Sequence, residues 1–153
     1  MILIGNSTDI HKIIEEKNSW QKLSGMIIKS DYKIVAHSDG DIILHSIIDA
    51  ILGALGVGDI GEYFSDSDPK NKNINSLTML QKVISIMHRC GFKINNVDIT
   101  FISEHIMLAN YKFEMRMLLR KILNCNNVSL KATRWEENKL LVQSNCSLIL
   151  KSI

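Results

Sequence analysis

The chain has 153 residues, 46% of them hydrophobic, with 18 Lys and Arg against 16 Asp and Glu and a formal net charge of +2. That length suits one domain, residues 1–153, with an ordinary core, and the balanced charge without a dense basic block argues against a nucleic-acid partner. The cysteines Cys90, Cys125 and Cys146 are widely spaced and form no C-x-x-C pair, which argues against a disulfide framework or a cysteine metal site and for a reducing, cytoplasmic compartment.

In chain order, Met1-Ile2-Leu3-Ile4 reads as a short strand. Asp9, His11, Glu15 and Glu16 follow too soon for the apolar core of a signal peptide, although an organelle interior fits if a targeting peptide was removed. A second β-prone run covers residues 26–28. Residues 41–55 carry a helical pattern that stops at Gly56-Val57-Gly58. The apolar stretch 42–57 is interrupted by His45 and Asp49 and falls short of the about 20 residues needed to cross a bilayer, so a core helix is predicted and no membrane partner. Residues 61–75, with Ser65-Asp66-Ser67-Asp68-Pro69, read as a polar loop. A second helix follows the Asn75-Ser76 cap and ends at Gly91, with Leu77, Leu80, Ile84 and Met87 spaced to cover a sheet. A third helix spans about 110–123, and strands are predicted at 97–103, 128–133 and 140–150. The pattern is α+β.

The first helix is apolar nearly all round, so its polar residues stand out. Asp41, His45 and Asp49 are four apart and lie on one stripe. Buried ionisable groups need partners, which a metal ion, a phosphate-bearing ligand or a subunit interface can each supply. Asp9-Ile10-His11 adds a pair of possible ligands, because alternate residues of an extended chain point the same way. Together with His45 it offers two imidazoles and one carboxylate, the donor set of a zinc ion that keeps one position open for substrate. Just before the helix, Ser38 and Asp39 suit either an N-cap or a phosphate site at the helix N-terminus, while His37 has no capping duty and is a candidate hydrogen-bond donor.

The run Ala36-His37-Ser38-Asp39-Gly40-Asp41-x-x-Leu44-His45-x-x-x-Asp49-Ala50-x-Leu52-Gly53-Ala54, followed by Gly58-Asp59-Ile60-Gly61-x-x-Phe64-x-Asp66-x-Asp68-Pro69, resembles the 2-C-methyl-D-erythritol 2,4-cyclodiphosphate synthase family. Asp9-x-His11, Asn96-Val97-Asp98-Ile99-Thr100 and Lys131-Ala132-Thr133-x-x-Glu136 extend the resemblance over nearly the whole chain. It implies a lyase of the non-mevalonate isoprenoid route that closes a cyclic diphosphate on a CDP-linked substrate and releases CMP. The implied fold is a mixed or antiparallel sheet with helices on one face, in a ferredoxin-like arrangement, assembled as a homotrimer with active sites between subunits.

By the same resemblance, Asp9, His11 and His45 would bind Zn2+ or a similar ion, and Glu136 would help hold a second ion, Mg2+ or Mn2+. His37 and Ser38 would meet the attacking phosphate. Asp59, Ile60, Gly61, Phe64, Asp66 and Asp68 match the loop that binds the erythritol, Asp49 would orient a ligand or substrate, and Thr133 would bind substrate. The chain departs from the family pattern at Gly5-Asn6-Ser7-Thr8, at Ile106-Met107 in place of a Pro-Lys pair, at Arg134-Trp135 in place of two small hydroxyl residues, and in the shortened turn at 137–143. Arg134 would then stand in for the missing hydroxyl as a charge-stabilising catalytic group. The same substitution leaves an alternative open, a trimeric metal- and nucleotide-binding protein that has lost turnover.

Overall fold

The computed structural model describes residues 1–153. Its strands are β1 (Ile2–Leu23), β2 (Met26–Ile34), β3 (Phe92–Ser103), β4 (Val128–Thr133) and β5 (Leu141–Ser152). Its α-helices are α1 (Ile42–Leu55), α2 (Ile60–Tyr63), α3 (Ser76–Arg89) and α4 (Lys112–Leu123), with a 3-10 turn at Pro69–Asn71. The sheet order is β2-β1-β5-β3-β4, antiparallel except for the β3–β4 pair. No helix is long and apolar enough to cross a membrane.

Inward-facing Val142, Cys146, Leu148 and Leu150 of β5 and Val97, Ile99 and Phe101 of β3 join the buried sides of α1, α3 and α4 in one apolar core. The α+β class and the mixed sheet are as predicted, but the ferredoxin-like arrangement needs correction. That arrangement rests on split β-α-β units, each with a strand inserted between the two parallel ones. Here β1 and β3 are split by β5, whereas β3 and β4, joined through α4, are direct parallel neighbours.

The largest departure from the predicted elements is β1, which runs 22 residues rather than four. Its first part, to Lys12, pairs with β5, and its second part pairs with β2. The hairpin closes at Ser24 and Gly25, both at positive φ (56° and 79°), as a two-residue turn between twisted strands requires. The strand is hard to see in sequence because, between Leu3 and Ile13, its inward positions are Gly5, Ser7, Asp9 and His11, which interrupt the apolar alternation.

Those small residues set the spacing of the core. A Cβ at Gly5 would lie 2.0 Å from the Ala50 carbonyl oxygen, so α1 rests directly on β1. Ser7 Oγ donates to the Ser46 carbonyl at 2.5 Å, and Ser46 Oγ meets Ser144 Oγ of β5 at 2.8 Å. This close approach brings His45 of α1 level with Asp9 and His11 of β1.

The N-cap of α1 is Asp41 rather than Ser38 or Asp39. Its buried carboxylate accepts from Leu44 N (3.1 Å) and from the hairpin-turn amides Ser24 N (2.9 Å) and Gly25 N (2.7 Å). One side chain thus fastens the start of α1 to the β1–β2 turn. Burial pushes its carboxyl up to about 6, against the pull of those amides. Asp41 therefore serves the scaffold, and the predicted polar stripe is shared between structure (Asp41) and site (His45).

Candidate active site

Asp9, His11 and His45 converge so that one donor atom from each lies within 4.8 Å of the others. Asp9 Oδ1 is 3.2 Å from His11 Nε2, and Asp9 Oδ2 is 3.5 Å from His45 Nδ1. Burial works to raise the Asp9 carboxyl, but hydrogen bonds and charge from both imidazoles outweigh it and hold the group well below the usual carboxylate range. The Asp9 hydrogen bond raises His11 against partial burial.

His11 Nδ1 lies 3.2 Å from the Val35 carbonyl oxygen, which can only accept. In the neutral ring the proton therefore sits on Nδ1, and the Nε2 lone pair faces Asp9 and His45. An oriented carboxylate and two imidazoles fit a divalent ion with three protein ligands and an open position.

The cluster opens into a cavity of about 500 Å³ whose wall also includes His37, Ser38, Ile60, Gly61, Phe64 and Asp66. The structure thus gathers most of the predicted substrate residues around the candidate ion site. His37 is exposed at the rim, and its carbonyl accepts from Asn73 N at 3.1 Å. Ser38 Oγ lies 3.2 Å from His45 Nε2. The acidic charge of Asp66 adds to the raising of His11.

Asp59, Asp68 and Asp49 are engaged with backbone. Asp59 Oδ1 caps α2 by accepting from Glu62 N, and Asp68 Oδ1 caps the 3-10 turn by accepting from Lys70 N, each at 2.9 Å. The expected polar loop at 61–75 is therefore partly helical. Asp68 lies with His37 and Asp66 along an adjoining cavity. Asp49 Oδ1 accepts from Ile60 N at 2.9 Å, so in this chain it positions the start of α2.

Thr133, Arg134 and Glu136 lie elsewhere. Thr133 ends β4 and is exposed. Arg134 Nη2 donates to Glu104 Oε1 at 2.5 Å, and Glu104 Oε2 accepts from Glu136 N at 3.1 Å. The Arg134 guanidinium holds the Glu104 carboxyl below its ordinary value. Glu136 sits at φ 61°, in the left-handed region where a non-glycine residue needs support. Glu104, His105, Arg134, Glu136, Glu137 and Asn138 line a separate cavity of about 340 Å³. Glu136 is thus apart from the Asp9 cluster, and within one chain Arg134 is already paired.

Trp135 explains the short turn that follows. Its Nε1 donates to the Leu141 carbonyl at 2.9 Å, and the Lys139 ammonium lies 4.1 Å from its ring centroid, which closes the loop onto β5. At the other departure, Ile106 is buried in the core and Met107 points outward. Sequence reasoning missed Glu104 as a turn-forming acceptor and Ser76 as a partner of His45, whose Nε2 lies 2.7 Å from Ser76 Oγ. No motif signals either contact, because the partners are 30 or more residues apart.

Comparison with known proteins agrees with this geometry. The chain is 38% identical over its whole length to 2-C-methyl-D-erythritol 2,4-cyclodiphosphate synthase of Leptospira biflexa, covering 96% of that protein. Its fold matches the bifunctional IspDF of Campylobacter jejuni with a TM-score of 0.92 and 34% identity, covering all of this chain but 43% of that one. It also matches Plasmodium falciparum IspF in complex with CDP, with a TM-score of 0.84 and 32% identity, over 99% of this chain and 96% of that one. The YgbB family model matches residues 2–148, and the chain belongs to the YgbB family.

Proposed function

We propose that the chain converts 4-diphosphocytidyl-2-C-methyl-D-erythritol 2-phosphate to 2-C-methyl-D-erythritol 2,4-cyclodiphosphate and CMP. An oxygen of the 2-phosphate forms a bond to the β-phosphorus, the bond from that phosphorus to the bridging oxygen breaks, and the electron pair leaves with CMP. The observation that carries this reading is the convergence of Asp9, His11 and His45 at a cavity that also takes in His37, Ser38 and the 60–66 segment. The cyclodiphosphate synthases among its relatives support it.

Asp9, His11 and His45 would hold Zn2+ or a similar ion, which would supply Lewis acidity toward the substrate's phosphates. His37 and Ser38 hydrogen-bond the attacking phosphate, while Asp66 and the backbone of Ile60 and Gly61, presented by α2, orient the erythritol hydroxyls. Phe64 walls off the apolar side of that segment. Asp59 and Asp68 keep it in shape through their backbone caps and complete the polar wall.

Thr133 and Arg134 serve the nucleotide phosphates, and Glu136 would help hold Mg2+ or Mn2+, which would supply further charge neutralisation there. Since these residues stand apart from the Asp9 cluster within one chain, the reading has them contributed by a neighbouring subunit of a homotrimer. Incubating the protein with the CDP-linked substrate and divalent ions, and resolving products by chromatography and mass spectrometry, tests the proposal. CMP appearing with the cyclic diphosphate is expected. CMP with a linear product, or no release of CMP while CDP still binds, contradicts it.

A further inference from the structure

His45 is held from behind by a chain of hydrogen bonds that ends on a carboxylate. Its Nε2 lies 2.7 Å from Ser76 Oγ at the start of α3. Ser76 Oγ in turn donates to Asp39 Oδ1 through a short hydrogen bond, and Asp39 Oδ2 accepts from Ser76 N at 2.9 Å. Lys22 Nζ stands 3.8 Å from the same carboxylate and supplies its counter-charge. Ser76 is fully buried, so its hydroxyl has these partners and no bulk water to choose from.

The direction of each bond follows from donor inventory. A carboxylate only accepts, so the Ser76 hydroxyl proton points at Asp39. Ser76 Oγ then offers His45 nothing but lone pairs, and since at 2.7 Å it is a closer partner of Nε2 than Ser38 Oγ at 3.2 Å, Nε2 brings the proton. A neutral imidazole carries one proton, so Nδ1 is left bare, and Nδ1 is the nitrogen that faces Asp9. The pull from Asp39 also makes Ser76 Oγ a better acceptor and the ring more electron-rich.

We infer that Asp39 and Ser76 are positioning residues for the ion site, setting His45 in the tautomer whose Nδ1 lone pair faces the ion while the Ser76 amide ties α3 to the 37–39 segment. The inference rests on the reading of Asp9, His11 and His45 as an ion site and adds the relay that makes His45 a competent ligand. In its absence Asp9, whose Oδ2 is 3.5 Å from Nδ1, would draw the proton to Nδ1 and disable that donor. The relay is invisible as a motif because its members are separated by six and thirty-one positions from His45.

Two readouts that do not use turnover test it. In ion-free wild-type protein, at alkaline pH where imidazoles are neutral, long-range 15N–1H correlation should show His45 protonated at Nε2. A His45 found mainly as the Nδ1–H tautomer overturns the relay, and this result needs no variant to fold. In Ser76→Ala, competition with a chromophoric chelator should show zinc bound about 10–100-fold more weakly, with His45 divided between tautomers. A folded Ser76→Ala that holds zinc as tightly as wild type overturns the inference while leaving the ion site standing. Failure of wild-type protein to bind zinc overturns the ion site and the relay together.

Discussion

Two corners of the molecule carry the residues of interest, and they are built differently. The Asp9–His11–His45 cluster sits on the middle of a strand and on a buried helix, and Val35 and Ser76 fix its imidazoles from behind. The Glu104–Arg134–Glu136 corner sits on strand ends and a turn, with Arg134 and Glu136 exposed and Glu104 partly buried beside them, and its cation and anion satisfy each other. A group on a packed element keeps its geometry without a ligand. A group on an exposed turn is positioned by a few local bonds and gains definition from whatever docks against it. On the proposed reading the first corner is a nearly complete site, and the second is half of one.

The contrast is broken most forcefully at His45. His45→Ala should lose the ion by elemental analysis and lower turnover by about a thousandfold, the equivalent of about 4 kcal/mol of lost charge stabilisation. Full metal content in that variant would dissolve the distinction between the corners. The same distinction predicts that Glu136→Ala leaves tightly bound metal unchanged.

The close seat of α1 on β1 offers a second break. Gly5→Ala forces a methyl against the Ala50 carbonyl oxygen and should cost about 2–3 kcal/mol, read as a lower denaturation midpoint. It should also weaken ion binding, since His45 moves with the helix. A Gly5→Ala protein with wild-type stability and affinity would mean that the spacing does not set the site.

Asp41 sharpens the account of the scaffold beneath the first corner. Its folded carboxyl is raised from 3.8 to about 6, so the folded state holds the proton more tightly than the unfolded chain. Stability should fall as pH rises from about 4 to about 6 and then level off, by an amount on the order of 3 kcal/mol. Asp41→Asn should flatten that part of the profile, which urea unfolding across pH can check.

The smallest effect is expected at the second corner. Ion pairs with a solvent-exposed partner contribute little to stability, and the Arg134 end of this one is exposed, so Arg134→Thr should shift the melting temperature only slightly and leave the metal content unchanged. Because Glu104 also holds the Glu136 amide, loss of its partner should loosen that turn and raise KM for the CDP-linked substrate by up to about tenfold. An unchanged KM would mean that Arg134 only decorates the strand end.

How much was legible in the sequence follows the same division. The helix at 41–55, the strand at 128–133 and the Asp9, His11 and His45 donors were readable because short-range spacing encodes them. The full length of β1 was not, because Gly5, Ser7, Asp9 and His11 occupy its inward face between Leu3 and Ile13 and interrupt the apolar alternation. The N-cap was misread because Ser38, Asp39 and Asp41 are all good capping residues, and burial against the β1–β2 turn selects Asp41. Arg134 stood out as a change of residue type, but its pairing with Glu104 depends on β3 and β4 lying side by side, which no local pattern states.

Crystals grown with zinc and CDP, with anomalous data collected at the zinc edge, test the central claim most directly. The account predicts one strong peak bonded to an Asp9 carboxylate oxygen, His11 Nε2 and His45 Nδ1, with metal–nitrogen distances of about 2.0–2.1 Å, and a nucleotide reaching toward Glu136 of a neighbouring copy. An absent peak, or a zinc ion bound away from these three side chains, would contradict it.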